Sequence, residues 1–163
     1  MDKEPMELEF RLGRPDDYEP ALEIQRRSYR LKEAPLYGEG IPPLAETPET
    51  LAGELAGGKQ LMVGVDKSDR VVASLRMQLR EDGTAYVCRL SVDPDLQGRG
   101  IGQRMMQAFE RFFPGAGAFV LDCGVDSQEN MHIYSKLGYR LTGEEFQVPN
   151  GPLCLGMRKE NKP

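Results

Sequence analysis

The sequence predicts an α/β fold in which helices cover both faces of one mixed sheet. Three observations lead to this prediction: strand-like apolar runs alternate with segments of helical period, turn residues separate them, and the last two strand-like runs form a hairpin. The predicted order of elements is β-α-α-β-β-β-α-β-α-β-β. Because 163 residues are enough to bury a sizeable core, we expect a single domain over residues 1–163.

The first half of the chain is predicted to contain four strands and two helices. Residues 8–14 alternate apolar and polar side chains, as a half-buried strand does, and Pro15 opens a helix. Residues 32–46 are rich in proline and glycine and are predicted to form a loop. Thr47 caps a short helix that ends at Gly57. Three strands follow, at residues 60–66, 70–80 and 84–92.

The second half is predicted to contain two helices and three strands. The apolar side chains of residues 101–113 lie close to one helical stripe, and Pro114 ends that helix. Residues 118–125 form a buried strand, which is followed by a helix that closes at Gly138. The final hairpin is expected to join residues 139–148 to residues 152–159.

The composition is that of an ordinary globular protein with an acidic balance. Lys and Arg total 21 and Asp and Glu total 26, and the net charge of −5 argues against a nucleic-acid partner bound through its phosphates. No apolar run approaches the roughly 20 residues that a membrane span requires, and the first ten residues lack the apolar stretch of a signal peptide. We therefore expect a cytoplasmic protein that binds neither nucleic acid nor a membrane.

Three cysteines and a single histidine limit metal and thiol chemistry. Cys88, Cys123 and Cys154 lie far apart, and their spacing matches neither a zinc site nor a CxxC motif. We expect three reduced cysteines that pack as small hydrophobic residues, and no metal site. A thiol relay, in which Cys88 or Cys123 would carry the acyl group, requires a base such as histidine. No histidine lies near either cysteine in the sequence.

Three alternating glycines mark the point where a predicted strand becomes a helix. Gly98, Gly100 and Gly102 enclose Arg99 and follow Gln97. Glycine lets a backbone approach a ligand, and the first turn of a helix has unpaired N–H groups and the positive end of the helix dipole. One glycine is enough for a simple turn, so this pattern favours an anionic ligand. The spacing G-x-G-x-G differs from the G-x-G-x-x-G of dinucleotide-binding domains, which argues against that class.

The stretch Val92–Gly102, VDPDLQGRGIG, resembles the acetyl-CoA pyrophosphate loop of the GCN5-related N-acetyltransferases, the GNAT family. Gln97, Gly100 and Gly102 fill the family pattern Q/R-x-x-G-x-G/A. The segment ENMHIYSKLGYR at residues 129–140 is similar to the signature of the family's fourth helix, and the order of elements matches as well. The resemblance implies the GNAT fold, acetyl-CoA as cosubstrate and N-acetyltransferase activity.

The resemblance also implies which residues contact the cofactor. Main-chain groups of the strand before the loop pair with the pantetheine arm, and N–H groups of the loop bind the pyrophosphate. The implied strand and loop residues are Leu90, Ser91, Val92, Gln97, Gly98, Arg99, Gly100, Ile101, Gly102 and Gln103. In the next helix, Ser127 and Asn130 are alternative contacts to the arm, although Asn130 is also explained as part of an exposed helix start. Lys136 either reaches a phosphate or is solvated.

Tyr134 is the residue that the resemblance places at the chemistry and at the cofactor. A phenol with a pKa of about 10 is protonated at neutral pH and can donate a proton to the departing thiolate of acetyl-CoA. The alternative is that Tyr134 simply packs beside Ile133 and Leu137. With the motif in register around it, we expect Tyr134 to act as general acid.

The sequence leaves the general base open. Many relatives carry a carboxylate on the strand before the pyrophosphate loop, but residues 84–92 contain no Asp or Glu. Asp122 on the next strand is one candidate. A glutamate of residues 32–54 that acts through water is the other.

The acceptor side is predicted to be acidic. From Glu33 to Gly58 the sequence has five glutamates and no Lys or Arg, which favours a small cationic amine, although solvated surface glutamates explain part of this pattern. The candidate substrate contacts are Tyr29, Tyr37, Glu39 and Glu46. The acceptor is a small-molecule amine or a peptide amine, and a homodimer is left open. The alternative function is a non-catalytic module that binds acetyl-CoA and reports metabolic state to a partner.

Overall fold

The computed structural model describes residues 5–162; residues 1–4 and 163, which the predicted domain includes, lie outside the described residues. The strands are β1 (Leu8–Leu12), β2 (Gln60–Asp66), β3 (Val71–Leu79), β4 (Thr84–Val92), β5 (Ala118–Gly124), β6 (Arg140–Gln147) and β7 (Leu153–Glu160). The helices are α1 (Tyr18–Lys32), α2 (Ala34–Tyr37), α3 (Pro48–Ala56), α4 (Ile101–Phe112) and α5 (Gln128–Lys136). Within the described range, each helix is too short or too polar to pass through a bilayer.

The predicted α/β fold with a mixed sheet is confirmed, and one loop differs. Residues 32–46, expected to be irregular because of their prolines, contain α2 and a 3-10 turn at Pro42–Leu44. Proline is compatible with the first turn of a helix, where its missing N–H would have no partner in any case. Pro35 and Pro42 both lie in such first turns, so these prolines begin helical segments.

The seven strands form one sheet in the order β1-β2-β3-β4-β5-β7-β6. Neighbouring strands are antiparallel except for β4 and β5, which are parallel. β7 enters the sheet between β5 and β6. The final hairpin therefore extends the sheet beyond β5 and lies next to the carboxyl ends of β4 and β5.

Helices pack against both faces of this sheet. Met62 of β2 belongs to a core cluster that contains Met105 of α4. Its neighbour Leu61 belongs to a second cluster, with Leu22 of α1 and Leu51 of α3. Because successive side chains of a strand point to opposite faces, α4 covers one face and α1 with α3 covers the other. Partly buried residues of α5 pack on the α4 side.

β4 and β5 separate after three pairs. Thr84–Tyr86 pairs with Ala118–Val120, and no further pair joins the two strands in the described chain. On its other side, β4 has a bulge in which Arg89 and Leu90 stand opposite the single residue Leu75 of β3. Arg89 has a φ of +57°, a conformation that residues with a side chain rarely adopt. The bulge bends β4 and accompanies a gap between the carboxyl ends of the two strands.

A buried arginine ties the segment before α3 to the sheet. The Arg76 side chain in β3 is 2% exposed, and its guanidinium donates to Glu46 at 2.9 Å, to Glu54 at 3.1 Å and to Gln25 at 2.9 Å. Glu46 also accepts from Nε of Arg89 at 3.2 Å. Burial by itself raises the pKa of Glu46, but the hydrogen bond from Arg76 and the charge of Arg89 bring this pKa down to about 2. Glu46 is therefore ionised and held between two arginines.

We expect Glu46→Gln to destabilise the fold, because it removes the anion that Arg76 and Arg89 share. Removal of one partner from a buried ion pair costs about 3 kcal/mol in the free energy of unfolding at pH 7. The folded state lowers the pKa of Glu46 from 4.5 to about 2, so its stabilising contribution is complete above pH 4.5 and is lost as the pH falls toward 2. Urea denaturation of wild type and variant across this pH range measures both effects.

Glu81→Gln is the matched control for this experiment, because Glu81 is exposed in the turn between β3 and β4. It should change the free energy of unfolding by less than about 0.5 kcal/mol. Equal stability losses in the two variants, or a loss in Glu46→Gln that does not shrink at acidic pH, would contradict the assigned role of Glu46.

Candidate active site

Two adjoining cavities lie at the gap between β4 and β5. The hairpin cavity, of about 350 Å³, is bounded by β4, β5, α2 and the final hairpin. The loop cavity, of about 420 Å³, lies between the loop at residues 97–103, the start of α5 and the last turn of α1. Tyr29, Glu33, Leu90 and Asn130 line both cavities, so the two join at these residues.

The loop cavity ends at a backbone arrangement suited to an anion. Gly98 and Gly100 have φ values of +80° and +72°, and Gly100 begins α4 without a side-chain cap. Within residues 5–162, the N–H groups of residues 98–103 donate no hydrogen bond. Apart from the two adjacent residues of each glycine, no atom of the described chain lies within 4 Å of the place where either glycine would carry a Cβ. A ligand can therefore approach these donors closely, as phosphates do at helix starts.

A contact with α1 fixes the segment that leads into this loop. The Nη2 atom of Arg27 lies 3.4 Å from a carboxylate oxygen of Asp93 and 3.1 Å from one of Asp95. Asp93 in turn accepts a hydrogen bond from the N–H of Asp95 at 2.9 Å. The entrance to the glycine turn is thus held by side chains that sequence reasoning did not single out.

The structure brings most of the predicted cofactor contacts to the loop cavity. Those that line it are Leu90, Val92, Gln97, Gly98, Gly100, Ile101, Gly102, Gln103 and Asn130. Ser91 is buried, and its hydroxyl donates to the carbonyl of Arg89. Arg99 and Lys136 are exposed and are not among the residues that line either cavity.

A buried carboxylate lies where the two cavities join. Glu33 is 8% exposed; it accepts a hydrogen bond from the Ser127 hydroxyl at 2.7 Å and one from Nδ2 of Asn130 at 2.8 Å. The Tyr37 hydroxyl lies 2.8 Å from the Ser127 hydroxyl and accepts from the N–H of Asp126. Burial raises the pKa of Glu33, and the bonds from Ser127 and Asn130 offset part of this effect. The two residues predicted to contact the cofactor arm therefore also hold Glu33.

Tyr134 lines the hairpin cavity on its α5 side. Its ring packs edge-on against Tyr139, with the ring centroids 6.2 Å apart. Burial raises the pKa of Tyr134 well above 10, so the phenol is protonated throughout the neutral range. Tyr134 therefore both packs against Tyr139 and lines the cavity, and its predicted role as general acid stays a prediction.

Two of the four predicted substrate contacts reach the cavities. Tyr29 and Tyr37 line the hairpin cavity. Glu39 is exposed and lies 3.7 Å from Arg30, while Glu46 is engaged by the buried arginines described above. Neither glutamate is among the residues that line the two cavities.

Sequence reasoning did not single out Glu33. It is one of five glutamates in an acidic segment, and no local pattern distinguishes it from the others. Its hydroxyl partner Ser127 lies 94 residues further along the chain. Asp122, the residue considered as an alternative base, also lines the hairpin cavity but is more exposed than Glu33.

Comparison with known proteins identifies this arrangement. The sequence model of the acetyltransferase (GNAT) family matches residues 19–139, which include the glycine loop and α5. The chain belongs to the GNAT family. Acetyl-CoA is the cosubstrate of this family, and the predicted enzyme class, an acetyl-CoA-dependent N-acetyltransferase, is confirmed.

Solved GNAT structures share the fold over nearly their whole length. The PaiA N-acetyltransferase from Thermoplasma acidophilum, in complex with coenzyme A, has a TM-score of 0.77 at 17% identity, with 95% of this chain and 99% of that chain covered. The ribosomal-protein-S18-alanine N-acetyltransferase from Escherichia coli has a TM-score of 0.73 at 16% identity, with 94% of each chain covered. The spermidine N-acetyltransferase from Vibrio cholerae, in complex with CoA and spermine, has a TM-score of 0.71 at 15% identity, with 94% of this chain and 95% of that chain covered.

The residues present in this GNAT protein fit coenzyme A. In the described chain, the N–H groups of residues 98–103 are unpaired donors at the start of a helix, which is the kind of group that a pyrophosphate binds. Beyond Tyr86, the main-chain groups of β4 have no partner strand among the described residues on the side that faces β5. This side lies next to the loop cavity. Both features are properties of the backbone.

We expect Gly100→Val to weaken the binding of coenzyme A at least tenfold. The φ of +72° at this position disfavours a β-branched residue, and a branched side chain would stand over the N–H donors. Isothermal titration of coenzyme A into both proteins measures the change, and a thermal melt shows whether the variant is folded.

Gly115→Val is the control, because Gly115 is exposed after α4 and has open space around it. This variant should bind coenzyme A as tightly as the wild type. If a folded Gly100→Val protein also kept wild-type affinity, the glycine loop would not be the anion site.

Proposed function

We propose that this GNAT protein acetylates a primary amine by direct attack, with Glu33 as general base and Tyr134 as general acid. The observation that carries this proposal is that both side chains line the hairpin cavity, beside the gap between β4 and β5. Bound acetyl-CoA supplies the thioester whose acetyl group is transferred.

The loop cavity is proposed as the cofactor groove. The N–H groups of residues 98–103 bind the pyrophosphate, and the main chain of Leu90, Ser91 and Val92 flanks the pantetheine arm. Support comes from the unpaired loop donors and from the fact that Leu90 lines both cavities. Leu90 thus marks the passage from the groove to the hairpin cavity, where the acyl group and the amine have to meet.

Glu33 is proposed to take the proton of the acceptor ammonium. Burial raises the pKa of this carboxylate, and a base is most effective when its pKa lies near the working pH. Ser127 and Asn130 hold its two oxygens in place. Asp122 lines the same cavity, but it is more exposed and does not line the loop cavity, so Glu33 has the better position for the reaction.

Tyr134 is proposed to protonate the leaving sulfur. Its raised pKa keeps the proton on the phenol until it is needed. The same dry surroundings also penalise a thiolate: burial raises the pKa of the neighbouring Cys123 thiol to about 12. Burial therefore makes a thiolate in this cavity more basic than one in water, which favours its protonation.

The proposed steps conserve protons and bonds. The ammonium gives one proton to Glu33, and the amine nitrogen forms a bond to the acetyl carbon while the carbon–sulfur bond breaks. The nitrogen then loses a second proton, and the sulfur takes one from Tyr134. The second proton replaces the one that Tyr134 donated, so each turnover releases one proton to solvent.

The cysteines of the cavity do not favour a thiol relay. Cys88, Cys123 and Cys154 line it, and burial raises the pKa of each, to about 12 for Cys123 and about 11 for Cys154. The nucleophilic form of cysteine is the thiolate, which is scarce at neutral pH in such surroundings. This chemistry supports direct attack by the amine.

The acceptor is proposed to be a small-molecule or peptide primary amine. The GNAT structures compared above bear names that specify different amines, the alanine of a ribosomal protein in one case and spermidine in another. In this protein, a cavity of about 350 Å³ whose lining includes the buried carboxylate of Glu33 suits the ammonium group of a small acceptor.

We expect Glu33→Gln to lower kcat/KM about 100-fold, because the amide cannot accept a proton. In the wild type, activity should fall as the pH drops through the raised pKa of Glu33, since protonation removes the base. The variant should lack this acidic limb. Thiol release from acetyl-CoA with a panel of amines measures both, and Glu49→Gln, an exposed change in α3, should keep the wild-type profile. An unchanged acidic limb in Glu33→Gln would assign the base to another residue.

Tyr134→Phe should lower kcat about 100-fold and leave the affinity for coenzyme A within a few-fold, because the ring keeps its packing against Tyr139. Tyr18→Phe is the matched control, since Tyr18 packs on the opposite face of the sheet with the α1 cluster. Full turnover by Tyr134→Phe at every pH would remove the acid assignment.

Binding of acetyl-CoA without amine-dependent thiol release in the wild type would favour a sensor.

A further inference from the structure

The hairpin cavity is not uniformly acidic. Its ionisable lining includes the carboxylates of Glu33 and Asp122 and also the cationic groups of Lys59 and Arg89. A pocket selective for a polycation would be expected to present carboxylates without such cations. The lining therefore favours a ligand that carries both signs of charge.

Most glutamates of the acidic segment are engaged outside this cavity. Glu54 is paired with Lys59 at 2.9 Å, Glu39 lies near Arg30, and Glu46 is held by two arginines. Of the glutamates in residues 33–58, only Glu33 is among the residues that line the hairpin cavity. The acidic segment therefore contributes one carboxylate, that of Glu33, to the cavity where the acceptor is proposed to bind.

Arg89 has free donors at the cavity. Its Nε atom bonds to Glu46, but in the described part of the chain its two Nη groups donate no hydrogen bond. Its side chain is 28% exposed, and the residue lines the hairpin cavity. Lys59 differs, because its ammonium is already bonded to Glu54. Arg89 is therefore the better anion partner of the two cations.

The backbone at Arg89 is consistent with a functional placement of this side chain. Arg89 is the positive-φ residue of the β4 bulge, and bulges re-aim side chains next to active sites. Strained backbone conformations persist where the surroundings hold them, commonly at functional sites. A guanidinium with both Nη groups free matches the two oxygens of a carboxylate.

We propose that the acceptor is a small amino acid, with its ammonium group toward Glu33 and its carboxylate at the Nη groups of Arg89. This inference rests on the proposed acetyltransferase function and narrows its substrate class. Glu33 and Arg89 line one cavity of about 350 Å³, a volume suited to a small zwitterion. The cationic amine expected from the acidic sequence thereby becomes one end of a molecule whose other end is anionic.

An acceptor panel with the wild-type enzyme tests this proposal. Thiol release is measured with α- and ω-amino acids, with the carboxamide and the decarboxylated amine of each, and with spermidine and putrescine. At least one carboxylated acceptor should exceed its own carboxamide and amine at least tenfold in kcat/KM, as expected for a hydrogen-bonded charge pair. If the best acceptor were spermidine, or an amine that carries no carboxylate, this proposal would be overturned. The acetyltransferase function would remain intact.

Arg89→Gln and Arg89→Lys test the residue itself. The ratio of kcat/KM for the carboxylated acceptor to that for its carboxamide should fall toward one in Arg89→Gln and part of the way in Arg89→Lys. A merely structural role would lower both rates and preserve their ratio. Arg111→Gln, an exposed change on α4, should keep the wild-type ratio. A preserved ratio in Arg89→Gln would overturn this inference, whereas no thiol release from wild type with any amine would overturn the proposed function.

Discussion

Between β4 and β5 the parallel ladder stops after Tyr86 and Val120, although both strands continue for several residues. Main-chain donors and acceptors beyond this point have no partner in the neighbouring strand, and a buried polar group without a partner costs about 1–3 kcal/mol. Such an opening persists where water or a ligand satisfies these groups. Both cavities meet at Leu90, inside this opening, and the bulge that includes Leu90 bends β4 there. The candidate site therefore lies where β4 and β5 no longer form hydrogen bonds to each other.

The side chain of Arg89 is held by Glu46, which is held in turn by Arg76. Arg76, on the strand that faces the bulge, is nearly excluded from water and requires carboxylates around it. It fixes Glu46, and Glu46 in turn fixes the Nε atom of Arg89. Buried ion pairs add little net stability compared with apolar packing, so the main effect of this network is geometric. It orients one guanidinium of the hairpin cavity and connects the segment before α3 to the centre of the site.

Patterns of neighbouring residues predicted the helices and strands around the site. The surroundings of its charged residues depend instead on contacts between distant parts of the chain. Thr47 caps α3 because its hydroxyl accepts an N–H three residues on, and Gly100 begins α4 with a φ that glycine adopts without strain. Both signals lie within a few neighbouring residues. Glu46 and Glu33 look alike in the sequence, yet one is bound by a buried arginine and the other lies between the cavities. The residues that contact Glu46 and Glu33 come from distant helices and strands. The sequence around each glutamate therefore does not predict these contacts.

In the proposed mechanism, the base Glu33 lies where the filling of the loop cavity can change its pKa. It shares the lining of both cavities with Asn130, whose amide donates one of its two N–H groups to the carboxylate. This hydrogen bond stabilises the ionised form and lowers the pKa of Glu33, against the larger effect of burial. A ligand in the loop cavity that drew the amide of Asn130 away from Glu33 and excluded water from the junction would raise the pKa of Glu33. In the proposed mechanism, the carboxylate would then be a stronger base when the groove is filled, which is when an acceptor ammonium has to lose its proton.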